Sequence, residues 1–417
     1  MMLKVLVVSH MFPRAHHKVG GFFVLEQVKA LRDNGIDARV ISGDPFWANK
    51  FPLTGIVAYA RAHSKVEARW TEYEGVPVMF FPYLAGGVFR PWLHAWTYEI
   101  GLLSILSAVK QQFDYDLVHA HTSYLDGNAG VRAARLGNVP LVITEHTGPF
   151  SLLANHVLKR IVTRRAVNAA QRVLCVGDSL RADMRKELSL PNAHIDVLSN
   201  GYDHHTFRMK DHSDNRSNGI RALWVGHFVP VKRIDRLVEA FSRIAADIPE
   251  LTLSLMGDGE GLEAAKHDVE KRGLSERILF LKASDRGGVS SAMREHDFLV
   301  VSSEVETFSL VTIEAFASGL PVLSTRCGGP EDLIADQGLG RLVTNDIEGI
   351  AAGLEDMCRN IKDFDSAHIA TRAASGYSWD SVAKELKGIY RELLENNRFR
   401  AQAVDTVEAS RSTGGKR

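Results

Sequence analysis

The chain has 417 residues, 45% of them hydrophobic, enough apolar mass for two packed cores. Its 50 basic and 50 acidic residues cancel, so no basic excess argues for a nucleic-acid partner. Three cysteines, Cys175, Cys327 and Cys358, stand far apart and in no Cys-x-x-Cys spacing, which fits a reducing compartment and excludes a structural zinc site of that type.

Residues 3–9, Leu-Lys-Val-Leu-Val-Val-Ser, read as a strand without polar alternation, the pattern of a parallel sheet covered on both faces. The apolar run there is too short for a signal-peptide core, and no stretch offers 18 uncharged apolar residues for a membrane span. A cytoplasmic location is the expectation. A loop from His10 ends in Gly20-Gly21. Val24, Val28 and Leu31 then keep helical spacing up to Asn34-Gly35, and residues 38–41 open the next strand. Strand, glycine turn, helix and strand make a phosphate-binding layout. The absence of Gly-x-Gly-x-x-Gly argues against a dinucleotide site and a dehydrogenase.

Residues 44–113 hold four tryptophans and a helix over 92–112, with no legible strand pattern. Asp114-Tyr-Asp116 has metal-binding spacing, but it runs straight into the strand Leu117-Val-His-Ala, so no metal is expected there. That strand ends in His119-Ala-His121. Leu141-Val-Ile-Thr144 is a further buried strand, followed by Glu145-His146. Residues 156–168 form a basic amphipathic helix, suited either to an anionic membrane surface or to a solvated face of its own domain. Strands at 172–177 and 195–199 follow, the second ending in Asn200-Gly201-Tyr202-Asp203.

After a polar linker at 209–219 the pattern restarts. Residues 221–226 read as a strand, and Pro230-Val-Lys232-Arg233 leads into a helix with Ile234, Leu237, Val238, Phe241 and Ile244 on one face. Strands at 251–256, 277–281, 298–302 and 321–325 alternate with helices, which gives a second parallel, doubly wound sheet. The segment Glu306-Thr-Phe-Ser-Leu-Val-Thr-Ile-Glu314-Ala-Phe-Ala-Ser-Gly319-Leu-Pro321 bridges the last two of these strands. Glu306 falls in the loop at a strand's carboxyl end, where open α/β sheets bind ligands. Glu314 falls on a short helix over 311–318. The backbone N–H groups of Phe308, Ser309 and Leu310 stand free at that helix start for an anion. Two glutamates there could simply cap the helix, but hydroxyl acceptors beside phosphate donors also suit a nucleotide sugar. A closing helix covers 377–398, and the polar residues 399–417 read as disordered.

Glu306-x7-Glu314 followed by Ala-Phe-Ala-Ser-Gly-Leu-Pro-Val resembles the signature of the retaining glycosyltransferases of family 4. The resemblance implies the α/β GT-B fold: two doubly wound Rossmann-like domains with parallel sheets facing across a cleft. It sets the boundaries at 1–203, with helix 377–398 crossing back to this N-terminal domain, and at 204–376 for the nucleotide-sugar domain. Gly226-His227-Phe228-Val-Pro-Val-Lys232-Arg233 resembles the family's Gly-Arg-Leu-x-x-x-Lys-Gly, with the lysine kept. Four positions depart from the pattern. Thr307 and Ser309 replace the two glycines of Glu-Gly-Phe-Gly-Leu, His227 replaces an arginine, and Arg233 replaces a glycine. A neutral imidazole lacks the guanidinium's charge and bidentate fork. Either His227 is protonated beside phosphate, or Arg233 substitutes for the missing arginine, or diphosphate binding is weaker.

The resemblance assigns roles residue by residue. Glu306 would support the anomeric centre, Lys232 would stabilise charge on the β-phosphate, and His121 would touch the donor sugar. Gly20 and Gly21 would face the diphosphate, with His227, Arg233, Phe308, Ser309 and Leu310 also on the donor and Glu314 on the ribose hydroxyls. Thr144 and His146 would lie near the acceptor, and Gly328-Gly329-Pro330-Glu331 would border the donor pocket. The stretch from Phe12-Pro13 through Leu31 is similar to members acting in bacterial surface-polysaccharide assembly. That implies a UDP- or GDP-sugar donor, a saccharide or polyprenyl-linked acceptor and no cofactor; separately, the basic helix over 156–168 leaves contact with the inner face of a membrane as a further option. A nucleotide-sugar epimerase of the same fold and a non-catalytic GT-B binding protein are the alternatives.

Overall fold

The computed structural model describes residues 2–14, 21–47, 52–86, 91–190, 194–209 and 219–413. The chain divides into two compact units. The first holds Met1–Cys175, Asp183–Leu198 and the chain from Val382 onward, and the second holds Val176–Ala182 and Ser199–Ser381.

The first unit is built on eight strands: β1 (Leu3–Val8), β2 (Ile36–Trp47), β3 (Thr71–Tyr73), β4 (Val76–Ala85), β5 (Leu117–His121), β6 (Leu141–Glu145), β7 (Arg172–Cys175) and β8 (Ile195–Val197). Their order is β3-β4-β2-β1-β5-β6-β7-β8, and every pairing is parallel except β3 with β4. The central strands β5 and β6 are buried at every residue, which is why their sequences show no polar alternation. β4 was not legible because it carries Pro77 and Pro82, which normally argue against an inner strand. The short β3 covers β4 only at Val76–Val78, so Pro82 sits where that side of the strand is an open edge.

The second unit has six parallel strands: β9 (Ile220–His227), β10 (Leu251–Asp258), β11 (Ile278–Lys282), β12 (Phe298–Val301), β13 (Val322–Thr325) and β14 (Gly340–Val343). The order is β11-β10-β9-β12-β13-β14. Helix Ile234–Ile244 buries Leu237, Val238, Phe241 and Ile244 against Trp224, Leu253 and Phe298.

In each sheet the chain works outward from a central strand in one direction and then reverses. The reversal falls between β1 and β5 in the first unit and between β9 and β12 in the second. These are the topological switch points, and the crevice beyond their carboxyl ends is where such sheets take ligands.

The closing helix runs Trp379–Thr413, past residue 398 and through most of the tail read as disordered. Residues 399–413 contain alanine, glutamate, glutamine and arginine but no glycine or proline, so nothing in them breaks the helix. Residues 414–417 lie outside the described part.

Candidate active site

At the switch point of the second sheet, two loops are tied together before any side chain meets. Pro230–Lys232 forms a single 3₁₀ turn after β9. The N–H of Glu304 donates to Val231 O at 2.7 Å, and Ser302 Oγ donates to Lys232 O at 2.8 Å. Lys232 Nζ then donates to Glu306 Oε1 at 2.5 Å, and Ser303 Oγ donates to the same oxygen at 2.7 Å. The cation and carboxylate singled out in sequence are thus one pair, with 25% and 14% of their side chains exposed.

The Glu306 loop is held from behind by segment 328–331, the one expected to border the donor pocket. The N–H of Glu306 donates to Cys327 O (2.7 Å), and that of Gly329 donates to Glu306 O (2.8 Å). A Cβ at Gly328, where φ is +105°, would lie 2.6 Å from Glu306 O, and one at Gly329 would lie 2.4 Å from Phe308 Cα. Only glycines let this turn support the loop so closely.

Two of the departures from the family pattern sit where backbone geometry favours glycine. Ser309, at the start of helix Leu310–Ala317, has φ 75° and ψ 78°, and Arg233, at the start of helix Ile234–Ile244, has φ 50° and ψ 43°. Both are left-handed conformations that an L side chain adopts only with strain. Ser309 gains a partial offset, its Oγ lying 2.9 Å from Thr312 Oγ1. Among the described residues nothing accepts from the N–H groups of Phe308, Ser309 and Leu310, so these donors remain available at the helix start.

Arg233 is engaged by Asp235 at 2.7 Å and Glu304 at 3.2 Å. His227, the last residue of β9, places Nδ1 2.7 Å from Asp258 Oδ1, and this contact orients the ring. Glu314 is buried, and Arg286 Nη1 approaches its Oε1 at 3.0 Å. Burial pushes the Glu314 carboxyl upward in pKa, and Arg286 opposes that shift. The Arg286 guanidinium also lies over the Phe207 ring, 4.9 Å from its centroid. Arg286 was missed in sequence because its partner is on a different helix with no spacing rule linking the two.

In the first unit, Gly21 has φ 73°, and any Cβ there would fall 0.9 Å from Met11 O, so this turn admits only glycine. Gly20 lies outside the described residues. His121 ends β5 and is buried, its Nδ1 3.1 Å from His146 Nε2 with the two rings stacked. Burial drives the His121 pKa down to about 3, and burial followed by neighbouring imidazoles lowers His146 well below its ordinary value. Both rings are therefore neutral hydrogen-bonding groups at neutral pH. Thr144 is buried in β6 with its hydroxyl 2.8 Å from His119 Nε2, while His119 Nδ1 meets Tyr390 Oη at 2.6 Å. This partner makes Thr144 a tie between β6 and β5.

Two fully buried carboxylates hold these loops and were not singled out in sequence. Asp126 accepts from the His10 N–H (2.8 Å), the Tyr98 hydroxyl (2.6 Å) and Thr122 Oγ1 (3.1 Å), and its Oδ2 lies 2.8 Å from His10 Nδ1. His10 lies two residues past the end of β1, so Asp126 fixes an imidazole at the switch point of this sheet. Glu145 accepts from the N–H groups of Ser123, His146 and Thr147 at 2.8–2.9 Å and from the Ser123 hydroxyl. Each partner comes from a distant or adjacent backbone position, and no motif spacing announces either cluster.

Residues 207–375 match the family model of glycosyl transferases group 1, and residues 20–206 match that of Glycosyltransferase Family 4. The chain is 32% identical over 329 residues to a D-inositol 3-phosphate glycosyltransferase of Mycobacteroides abscessus, covering 73% of this chain and 72% of that one. Among solved structures it is similar to sucrose-phosphate synthase from Thermosynechococcus elongatus, with a TM-score of 0.75 at 18% identity over 94% of this chain and 100% of that one. It is also similar to HepE of Anabaena, solved in complex with UDP, with a TM-score of 0.68 at 18% identity and the same coverages. The two likenesses at that identity speak to architecture alone. With the two switch-point sheets they show the GT-B fold, and the two family models and the relative above 30% identity establish that this chain belongs to glycosyltransferase family 4.

Proposed function

We propose that this family 4 enzyme transfers a hexosyl group from a UDP- or GDP-sugar to a saccharide or polyprenyl-linked acceptor, with retention of anomeric configuration and without a metal ion. Its setting in this reading is bacterial surface-polysaccharide or glycolipid assembly. The observation that carries the proposal is the Lys232–Glu306 pair at the β9–β12 switch point, beside the free N–H groups at the start of helix Leu310–Ala317. Departure of a nucleoside diphosphate builds negative charge on the β-phosphate, while the sugar gains oxocarbenium character. A fixed ammonium and backbone donors counter the first, and a carboxylate beside the sugar supports the second. In this reading Lys232 turns to the phosphate, Glu306 holds a sugar hydroxyl, and Glu314 takes the ribose hydroxyls next to Arg286. The leaving β-phosphate itself takes the acceptor's proton, so that attack comes from the face the diphosphate leaves. The UDP complex of the Anabaena neighbour favours trying uridine donors first.

The experiment is a screen of UDP- and GDP-sugars against polyprenyl-phosphate-linked saccharides, free oligosaccharides and inositol 3-phosphate, with product anomers assigned by NMR. An α-linked product from an α-linked donor is expected. An inverted product would overturn the retaining assignment. An epimerised nucleotide sugar would favour the epimerase reading, and failure of every nucleotide to bind by calorimetry would favour a non-catalytic binding protein.

A further inference from the structure

We propose that helices Ser151–Ala154 and Val157–Ala169 of the first unit form a docking surface for an anionic lipid bilayer. Between Glu145 and Asp178 the chain contains no acidic residue, while Lys159, Arg160, Arg164 and Arg165 fall on helix Val157–Ala169; Arg172, on β7, is paired with Asp196 and Glu392. In a chain whose charges balance overall, this is a one-sign segment.

The helix turns Thr163, Ala166 and Val167 inward. The opposite face carries Val157 and Ile161 in line with Arg164 and Arg165, flanked by Leu158 and Arg160. Leu152, Val157, Leu158 and Ile161 are 55%, 60%, 44% and 54% exposed, a cluster of large aliphatic side chains in water at the first turns of a basic helix. On the second unit's surface Arg243 meets Glu239 and Glu348, Lys266 meets Glu263, and Arg272 meets Asp268. Among the described residues no carboxylate pairs with Arg160, Arg164 or Arg165. Aliphatic side chains that enter the acyl boundary, and arginines that reach headgroup phosphates, are the composition of a helix lying in a membrane interface.

The position in the sheet fits this role. The segment follows β6, so its exposed aliphatic start lies at the carboxyl edge of the strands, the edge that carries His121 and His146. A bilayer seated there would bring a lipid-linked acceptor to that edge. The surface stands independently of the acceptor reading, because vesicle binding requires no turnover.

The test is co-sedimentation of the full chain with vesicles of phosphatidylcholine containing phosphatidylglycerol, against vesicles of phosphatidylcholine alone. Binding is expected to the first, to fall with added salt, and to be weak or absent on the second. Each arginine near an anionic surface contributes about fivefold in partitioning, so the triple variant Arg160→Glu, Arg164→Glu, Arg165→Glu should lose more than about a hundredfold. The double variant Leu158→Ser, Ile161→Ser should weaken binding at low salt as well, which separates insertion from charge attraction alone. All five residues are exposed, so unfolding curves should match the unmodified chain and certify the comparison. Equal binding to both vesicles, binding unaffected by the triple reversal, or binding to RNA without binding to vesicles would each overturn the proposal.

Discussion

Replacing Lys232 by alanine should separate what the Lys232–Glu306 pair does for the fold from what it does for transfer. A fully buried ion pair that loses one partner costs about 3–5 kcal/mol, and a fully exposed one about 0–1 kcal/mol. Lys232 keeps a quarter of its side chain in water and Glu306 less, so the loss falls between these limits, at about 2 kcal/mol. For a unit of this size that is a fall of about 4–8 °C in Tm. In the double variant Lys232→Ala, Glu306→Gln the stranded carboxylate becomes a neutral amide still within reach of Ser303 Oγ, so about half of the lost stability should return. Activity should not return with it. Removing one preorganised charge from the transition state costs about 10²–10³ in kcat, and residues that act as a unit are not additive, so the double variant should be about as slow as either single one. Thermal unfolding by circular dichroism reads the first quantity, and nucleoside diphosphate released from the donor reads the second. If stability losses simply add, the two side chains are not coupled. If Lys232→Ala or Glu306→Gln keeps near wild-type turnover, the pair is not the reacting centre.

Three further outcomes follow from the geometry. Gly329→Ala sets a methyl group 2.4 Å from Phe308 Cα and should displace the Glu306 loop, lowering kcat more than about tenfold; wild-type turnover would show that the loop tolerates the shift. Arg233→Gly relieves about 1–2 kcal/mol of left-handed strain, against about 0.5–1 kcal/mol of added chain entropy and two exposed ion pairs, so stability should move by less than about 1 kcal/mol. The calorimetric Kd for UDP should change less than about threefold, because Asp235 and Glu304 already hold the guanidinium; a tenfold loss would place Arg233 on the diphosphate. The buried His119, His121 and His146 all have folded pKa values below the ordinary 6.5, that of His121 at about 3. The unfolded chain therefore binds protons that the folded one refuses. Stability is fully present above about pH 6.5 and falls as pH drops toward 3, by about 1.4 kcal/mol per pH unit for each such ring. His146→Phe should remove one proton from that slope in urea titrations between pH 5 and 7, and an unchanged slope would show that His146 does not titrate on unfolding.

How much of this could be read in the residues depended on whether the signal was local. Glu306, Glu314, Phe308 and Leu310 share one segment whose apolar periodicity and Gly319-Pro321 stop mark a strand, a loop and a short helix. Lys232 follows a strand and opens a helix with a strong 3.6-residue period. These were legible because strand ends and helix starts are written in consecutive residues. Asp126 and Glu145 were not, because their partners His10 and Ser123 lie 116 and 22 residues away and arrive only through sheet order. Thr144 shows the converse: its place in a local motif was visible, but its burial against His119 depends on the register of β5 with β6. Prolines hid β4 for the same reason, since only the shortness of β3 makes Pro82 acceptable.

Three of the four departures from the family pattern divide into two kinds. Arg233 and Ser309 replace glycines at positive φ, so the backbone has kept the glycine conformation and accepted strain to hold it. Such strain persists only where the surroundings over-determine the turn, and here they do. Glu304 N–H holds Val231 O before the first residue, and Gly328 and Gly329 back the loop before the second. The shape of the loops around Lys232 and Glu306 is therefore maintained against local preference, which argues that geometry at this site is under constraint even where residue identity is not. His227 is of the other kind. It occupies a strand end without strain, oriented by Asp258, and changes the chemistry rather than the backbone. A difference between this chain and its relatives in donor affinity should therefore follow His227, while Arg233 and Ser309 should leave the position of Glu306 unaltered.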